Sequence, residues 1–364
     1  MRHGVRPSAC ARFGALVVVV LLAAACGDDD AAAPTTNSTS TTTTTAAPTT
    51  SAAPTTVPPV TEPAVDPGEV RLDTIEVDDF VFDARLSGPA EGEPVFLLHG
   101  FPSTSDQWRH QIVALGEAGY RVIAPDQRGY SAGARPPDVE DYSIDLIAGD
   151  VVGMADALGI DDFHVVGHDF GGAAAWAVAS LFSDRLLSVT SISTPHPAAL
   201  VQTIESDDSD QAGRSSYVDT FVQPESELIF VANDAATLRS LYASQGLSEE
   251  EMEPQLSVLN DADAMRSALN WYRASFNASG LEVDRIDVPT MFIWSTGDQF
   301  LGPDPAHITG DFVDAGYRFE IIHDVNHWVP EMAADVVNPL LLDFLADPSA
   351  LAPGEQTTGE HGAE

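Results

Sequence analysis

The sequence predicts an α/β fold: a mostly parallel, eight-stranded sheet with helices on both faces and a helical cap inserted between two strands. Three observations carry this expectation. Short continuous apolar runs alternate with stretches of helical spacing, which suits buried parallel strands flanked by helices. One of those runs, Phe163-His164-Val165-Val166-Gly167, enters a turn crowded with glycines and leaves it as a helix of small residues. A long stretch from about Thr194 to Ile286 breaks the alternation and reads as helices and loops.

In chain order, Arg2, Arg6 and Arg12 precede an apolar run from Ala15 to Ala25, of signal-peptide length and too short to span a bilayer comfortably. The run ends Leu22-Ala23-Ala24-Ala25-Cys26-Gly27 and resembles a bacterial lipoprotein processing site, with alanine where leucine is usual three residues before the cysteine. That resemblance implies a signal peptide over 1–26, lipidation of Cys26, and an exported domain anchored in the cell membrane facing outside the cytoplasm. The other cysteine, Cys10, lies in the leader, so no internal disulfide is expected in the mature chain. Residues 27–69 are rich in Thr, Ser, Ala and Pro, with little to bury, and are expected to be a disordered tether.

The folded domain is expected over 70–347. Arg71 to Glu76 and Phe80 to Arg85 alternate as a hairpin would. Pro94 to Leu98, Arg121 to Pro125, the run from Phe163, Leu186 to Ser193, Val288 to Trp294 and Tyr317 to Ile322 supply the other strands. Tyr142 to Leu158 has helical spacing. The cap, about 196–286, falls between two strands, where it would sit over their carboxyl ends. Residues 348–364 turn polar and are expected to be a frayed tail.

Asp+Glu number 56 against Lys+Arg 16, a formal charge of −40, and every one of those cations is arginine. Such a surface repels nucleic acid, so no nucleic-acid partner is expected. No metal-ligand spacing, phosphate loop or dinucleotide fingerprint is present, so no cofactor and no metal are expected.

The chemistry concentrates in Gly167-His168-Asp169-Phe170-Gly171-Gly172. A strand, a sharp turn and a helix make a nucleophile elbow, and its apex is Asp169. Asp298 and His327 each follow a strand, in the order nucleophile, acid, base, so three side chains can converge above the sheet. His323 is a rival base at the end of its own strand. Gly129-Tyr130-Ser131-Ala132-Gly133 matches a serine-nucleophile pattern, but it runs into Arg135-Pro136-Pro137, where no helix can start.

An aspartate nucleophile attacks sp³ carbon and forms an ester. Water deprotonated by His327 would hydrolyse it, with Asp298 orienting the imidazole. The backbone N–H groups of Phe101 and Phe170 are the candidate oxyanion donors, each typically worth about 3 kcal/mol. Pro102 is a candidate cis residue. Epoxides and alkyl halides both fit an aspartate nucleophile. An epoxide oxygen needs O–H donors, for which Tyr217 and Tyr272 are the candidates in the cap.

The motifs His99-Gly100-Phe101-Pro102, Trp108-Arg109-His110-Gln111, the elbow, and Leu269-Asn270-Trp271-Tyr272-Arg273 together resemble the α/β-hydrolase-fold epoxide hydrolases over about residues 90 to 345. The resemblance implies an α/β-hydrolase fold and a small apolar epoxide as substrate. It also implies an oxygen grip by Tyr272 and by Tyr217, which lies four residues before Phe221. Trp108, Trp271, Phe221 and Trp328 are expected as cap or pocket residues. Phe170 stands where that family often has tryptophan. The related haloalkane dehalogenases usually place asparagine at Phe101 and tryptophan at Phe170; fluoroacetate dehalogenases usually place arginine at Phe170. A dehalogenase is the alternative, and a non-catalytic surface-binding module a more distant one.

Overall fold

The computed structural model describes residues 68–277 and 283–362. The expected signal peptide, Cys26 and nearly all of the tether lie outside the described residues.

Among the described residues nine strands form one sheet: β1 (Arg71–Val77), β2 (Phe80–Ser87), β3 (Pro94–Leu98), β4 (Arg121–Pro125), β5 (Phe163–His168), β6 (Leu186–Ile192), β7 (Thr290–Ser295), β8 (Tyr317–His323) and β9 (Gln356–Gly362). Their spatial order is β1-β2-β4-β3-β5-β6-β7-β8-β9. The pairings of β2 with β1 and β4 are antiparallel, and all others are parallel. The carboxyl ends of β3, β5, β7 and β8 therefore share one edge, and the loops that follow them meet there.

The helices between strands are α1 (Arg109–Glu117), α2 (Ile144–Ala157) and α3 (Phe170–Leu181). Alternate residues of a strand face opposite sides, so each central strand feeds two cores. Phe96, Phe163, Val165 and Trp176 pack on one face. Leu97, Val166, Ile112 and Trp108 pack on the other. Between β6 and β7 come α4 (Pro197–Ile204), α5 (Gln211–Arg214), α6 (Val218–Phe221), α7 (Glu227–Ser244), α8 (Glu249–Leu259) and α9 (Ala262–Asn277). Helix α7 is broken at Ala232–Ala235, where Asn233, Asp234 and Ala235 take positive φ. Ser248 and Glu251 form a reciprocal capping box that fixes the start of α8. After β7 follow α10 (Pro303–Ile308), α11 (Val329–Met332) and α12 (Ala334–Ala346).

Side-chain hydrogen bonds pin the inserted helices to the sheet's loops. The Tyr242 hydroxyl donates to the Pro102 carbonyl at 2.5 Å. Gln255 Oε1 accepts from the Thr104 N–H at 2.6 Å, and Arg109 pairs with Glu251 at 2.7 Å. Arg214 donates to the Asp298 carbonyl at 3.0 Å, and Asn326 to the Gln245 carbonyl at 2.8 Å.

The expected frayed tail is corrected in part. Residues Gln356–Gly362 form a ninth strand, in parallel register with β8 from Tyr317↔Gln356 to His323↔Gly362. Its sequence is polar because it is an edge strand with mostly exposed side chains, so no apolar alternation marks it. His361 Nε2 and Glu320 Oε2, 2.6 Å apart, hold it in place.

Candidate active site

Asp169 sits between β5 and α3 with φ 51° and ψ −123°. A non-glycine residue in that region costs of order 1–3 kcal/mol and persists only when its surroundings hold it. Here its carbonyl accepts from Thr194 Oγ1 at 2.6 Å and from the Gly172 and Ala173 N–H groups at 2.9 and 3.1 Å. The elbow glycines act through space rather than through φ. A Cβ on Gly171 would lie 2.1 Å from the Leu98 carbonyl oxygen, and one on Gly100 would lie 2.4 Å from Asp169 Cβ. The strained residue is the aspartate itself.

The three residues expected to converge do so. His327 Nδ1 lies 2.7 Å from Asp298 Oδ2, and its Nε2 lies 3.2 Å from Asp169 Oδ2. Asp298 is fixed in turn, because its Oδ1 accepts from the N–H groups of Phe300 and Leu301 at 2.8 and 3.0 Å. The Phe101 N–H donates to Asp169 Oδ1 at 2.9 Å, and the Phe101-Pro102 bond is cis.

The electrostatics follow from burial and from two carboxylates flanking one imidazole. Burial alone would lower the His327 pKa, but the Asp298 charge and the bonds to both aspartates raise it to about 10. Burial would raise the Asp169 pKa, but the hydrogen bond and charge of His327 outweigh it, and the net shift is downward. The resting pair at neutral pH is thus carboxylate and imidazolium.

A cavity of about 90 Å³ opens onto Asp169 and His327. Tyr217, Phe221, Leu241 and Tyr272 line it from the inserted helices, and Phe101, Phe300 and Trp328 from the sheet's loops. The Tyr217 and Tyr272 rings lie 6.4 Å apart. Burial and the nearby Asp169 charge push both phenols well above their usual pKa, so they stay protonated donors.

One expectation changes and a second is narrowed. Trp108 is not a pocket residue: it is fully buried with Leu97, Ile112 and Val166 in the core on the far face of the sheet. Trp271 stands on the inserted α9, as a cap residue, but does not line the cavity. It neighbours Tyr272 on a helix, where successive side chains diverge by about 100°. Its ring turns back to donate Nε1–H to the Arg128 carbonyl at 2.7 Å and to stack on His99. The Phe170 N–H makes no bond to the resting Asp169 carboxylate; its expected place at the oxyanion concerns the ester intermediate. Oδ2 is turned to the imidazole and Oδ1 is taken by Phe101, while the Phe170 ring packs on Trp271 and Tyr272. Phe221 and Trp328 do line the cavity.

His323 points elsewhere, 3.5 Å from Glu360 on β9. Ser131 is a turn staple: its Oγ donates to the Asp126 carbonyl at 2.5 Å and accepts from the Asp83 N–H at 2.9 Å. Phe300 was not anticipated. It stands two residues beyond Asp298, with its ring 5.1 Å from that of His327 and 5.4 Å from that of Tyr217. Adjacency to the acid was its only signal in the sequence.

A family model of the alpha/beta hydrolase fold matches residues 93–334. The chain belongs to this family. Within the α/β hydrolases it is epoxide hydrolase-like. It is 31% identical over 267 residues to mouse "Epoxide hydrolase 4", covering 70% of this chain and 74% of that protein. It is 32% identical over 285 residues to "AB hydrolase superfamily protein YfhM" of Bacillus subtilis, covering 76% and 98%. Among solved structures, one described under "Novel epoxide hydrolases belonging to the alpha/beta hydrolases superfamily in metagenomes from hot environments" is 30% identical. Its TM-score is 0.66, over 76% of this chain and 99% of that one. The α/β hydrolase sheet, elbow and inserted helices described above are thus a shared architecture.

Proposed function

We propose that this α/β hydrolase opens a small apolar epoxide to a diol through an ester on Asp169. The observation that carries the reading is a carboxylate at the elbow, with the imidazole behind it and two protonated tyrosines across an otherwise apolar cavity. An Asp169 oxygen bonds to one epoxide carbon as the carbon–oxygen bond of the ring breaks. The departing oxygen takes a proton from Tyr217 or Tyr272. Water then attacks the ester carbonyl carbon, His327 takes its proton, and the Phe101 N–H holds the oxyanion. Collapse breaks the bond from that carbon to the substrate oxygen, the water's remaining proton passes to this oxygen, and the Asp169 carboxylate and the diol are released.

The ion pair gives these steps an order. Esterification removes one of the two negative charges that stabilise the imidazolium. The proton His327 then sheds makes good the one the tyrosine gave, and His327 enters the water step as a neutral base. Attack by Asp169 requires no base, so His327→Gln should accumulate the ester. The test is mass analysis of the Asp169 peptide after a single turnover with a small aliphatic epoxide, alongside a bromoalkane and fluoroacetate. An adduct from the epoxide, absent in Asp169→Ala, supports the reading. An adduct from a halide alone would give the enzyme to the dehalogenase class.

We further infer that the domain is exported and lipid-anchored through Cys26. The small residues before that cysteine and the polar stretch after it support this. Incorporation of labelled palmitate that is lost in Cys26→Ser is the expected result; equal labelling would remove the inference.

A further inference from the structure

Behind the triad lies a second set of buried polar side chains that the scheme above does not use. Gln107 is fully buried in the short turn before α1. Its Oε1 accepts from the Gly100 N–H at 3.2 Å. Its Nε2 donates to His168 Nδ1 at 2.9 Å. His168 Nε2–H in turn donates to the backbone carbonyl of His327 at 2.8 Å. Every donor and acceptor along this line is fixed. The His327 carbonyl can only accept, so His168 carries its proton on Nε2, which leaves Nδ1 free to accept from the amide. The other amide hydrogen of Gln107 faces both oxygens of Glu331 at 3.4 Å.

The two ends of this line are the two loops that matter in ester hydrolysis. Gly100 begins the peptide that presents the Phe101 N–H to Asp169 Oδ1. His327 is the base. The tyrosines that serve ring opening stand on the inserted helices and do not touch the line. Resting on the Asp169-ester reading, we propose that Gln107 is a positioning residue, acting with His168 to hold the oxyanion donor and the base at fixed separation around Asp169. Its effect falls on ester hydrolysis rather than on ester formation. The line is uncharged under working conditions: burial and the His327 charge lower His168 to about 4, and burial raises Glu331 to about 8.

The test separates the two chemical steps. Rapid-quench mass spectrometry of the Asp169 peptide, with a small aliphatic epoxide, gives both the appearance and the decay of the ester. Gln107→Met keeps the volume but neither accepts from Gly100 nor donates to His168. It should form ester near the wild-type rate and hydrolyse it about 10- to 100-fold more slowly, as a base or donor misplaced by roughly 1 Å would. Equal slowing of both steps marks a merely structural role, and unchanged decay marks none; either overturns the proposal.

Gln107→Glu supplies the second arm. Protonated, it reproduces the amide's bonds to Gly100 and His168; ionised, it sets an acceptor against His168 Nδ1 and a negative charge beside the buried carboxyl of Glu331. Its ester-decay rate relative to wild type should therefore rise as pH falls, with Asp169 and His327 common to both proteins. A ratio flat across pH would overturn the proposal even if Gln107→Met fails to fold. Absence of any adduct in the wild type would overturn the ester reading instead, and this proposal with it.

Discussion

The same parallel strands carry a histidine between two oxygen side chains at each of their ends. At the carboxyl end His327 stands between Asp169 and Asp298. At the opposite end His164 Nδ1 lies 2.7 Å from Ser188 Oγ, and its Nε2 lies 2.8 Å from Glu93 Oε1. By contact distances alone, the second set resembles a serine triad. Ser188 is fully buried within β6, so no substrate can reach its hydroxyl. Glu93 is half exposed (53%), so water screens its charge. Burial therefore wins at His164 and lowers its pKa. At His327 two buried carboxylates win over burial, and the pKa rises. Distances do not distinguish a site from a cross-strand staple. Access, a cavity and buried charge do.

The sharpest break between the two sets should come from removing their oxygens. Asp169→Ala should abolish turnover, by about 10⁴-fold or more, as loss of a covalent nucleophile does. Ser188→Ala should leave turnover unchanged. Steady-state assays of both variants on one epoxide measure the contrast, and activity lost equally in both would break it.

Next in size is the proposed oxygen grip. Tyr272→Phe and Tyr217→Phe should each slow ester formation by up to about 100-fold, the lower range for a positioned proton donor. Ester decay should be little affected. Single-turnover traces separate the two, and loss confined to ester decay would contradict the assigned role.

Stability should depend on pH in opposite directions at the two ends. The folded-state pKa of His327 is raised from 6.5 to about 10, so its contribution is complete below about 6.5 and drains away as pH climbs toward 10. That of His164 is lowered from 6.5, so its contribution is present above about 6.5 and is lost as pH falls. Thermal melts from pH 4 to 10 should show a flatter alkaline limb in His327→Gln and a flatter acid limb in His164→Gln. Identical limbs in the two variants would show that the two imidazoles do not differ in this way.

The smallest effect is the staple's own worth. Ser188→Ala leaves His164 Nδ1 without its neutral partner inside the sheet, which should cost about 1–3 kcal/mol in urea unfolding.

Strand ends explain what could be read in advance. Asp169, Asp298 and His327 each follow an apolar run that only a buried parallel strand would use, so their convergence was legible from order alone. Phe300 was not, because an aromatic in a turn has no periodicity that says which way it faces. Trp108 and Trp271 mislead for a like reason: both stand within the quoted motifs, and neither motif records which way a ring turns. β9 escaped notice because an edge strand exposed on both faces carries no hydrophobic alternation. Gln107 is a single buried amide, and its meaning lies wholly in residues distant along the chain.

The pinned helices have a consequence for what can be turned over. A chamber of about 90 Å³ is smaller than the roughly 150 Å³ void that admits benzene. The cavity is open on one side, so a substrate with an aromatic ring would leave that ring toward the mouth unless bonds such as Tyr242 to Pro102 or Gln255 to Thr104 let the inserted helices move. Where a bulky molecule needs those helices to move, thickening the solvent would slow its turnover while leaving small ones untouched.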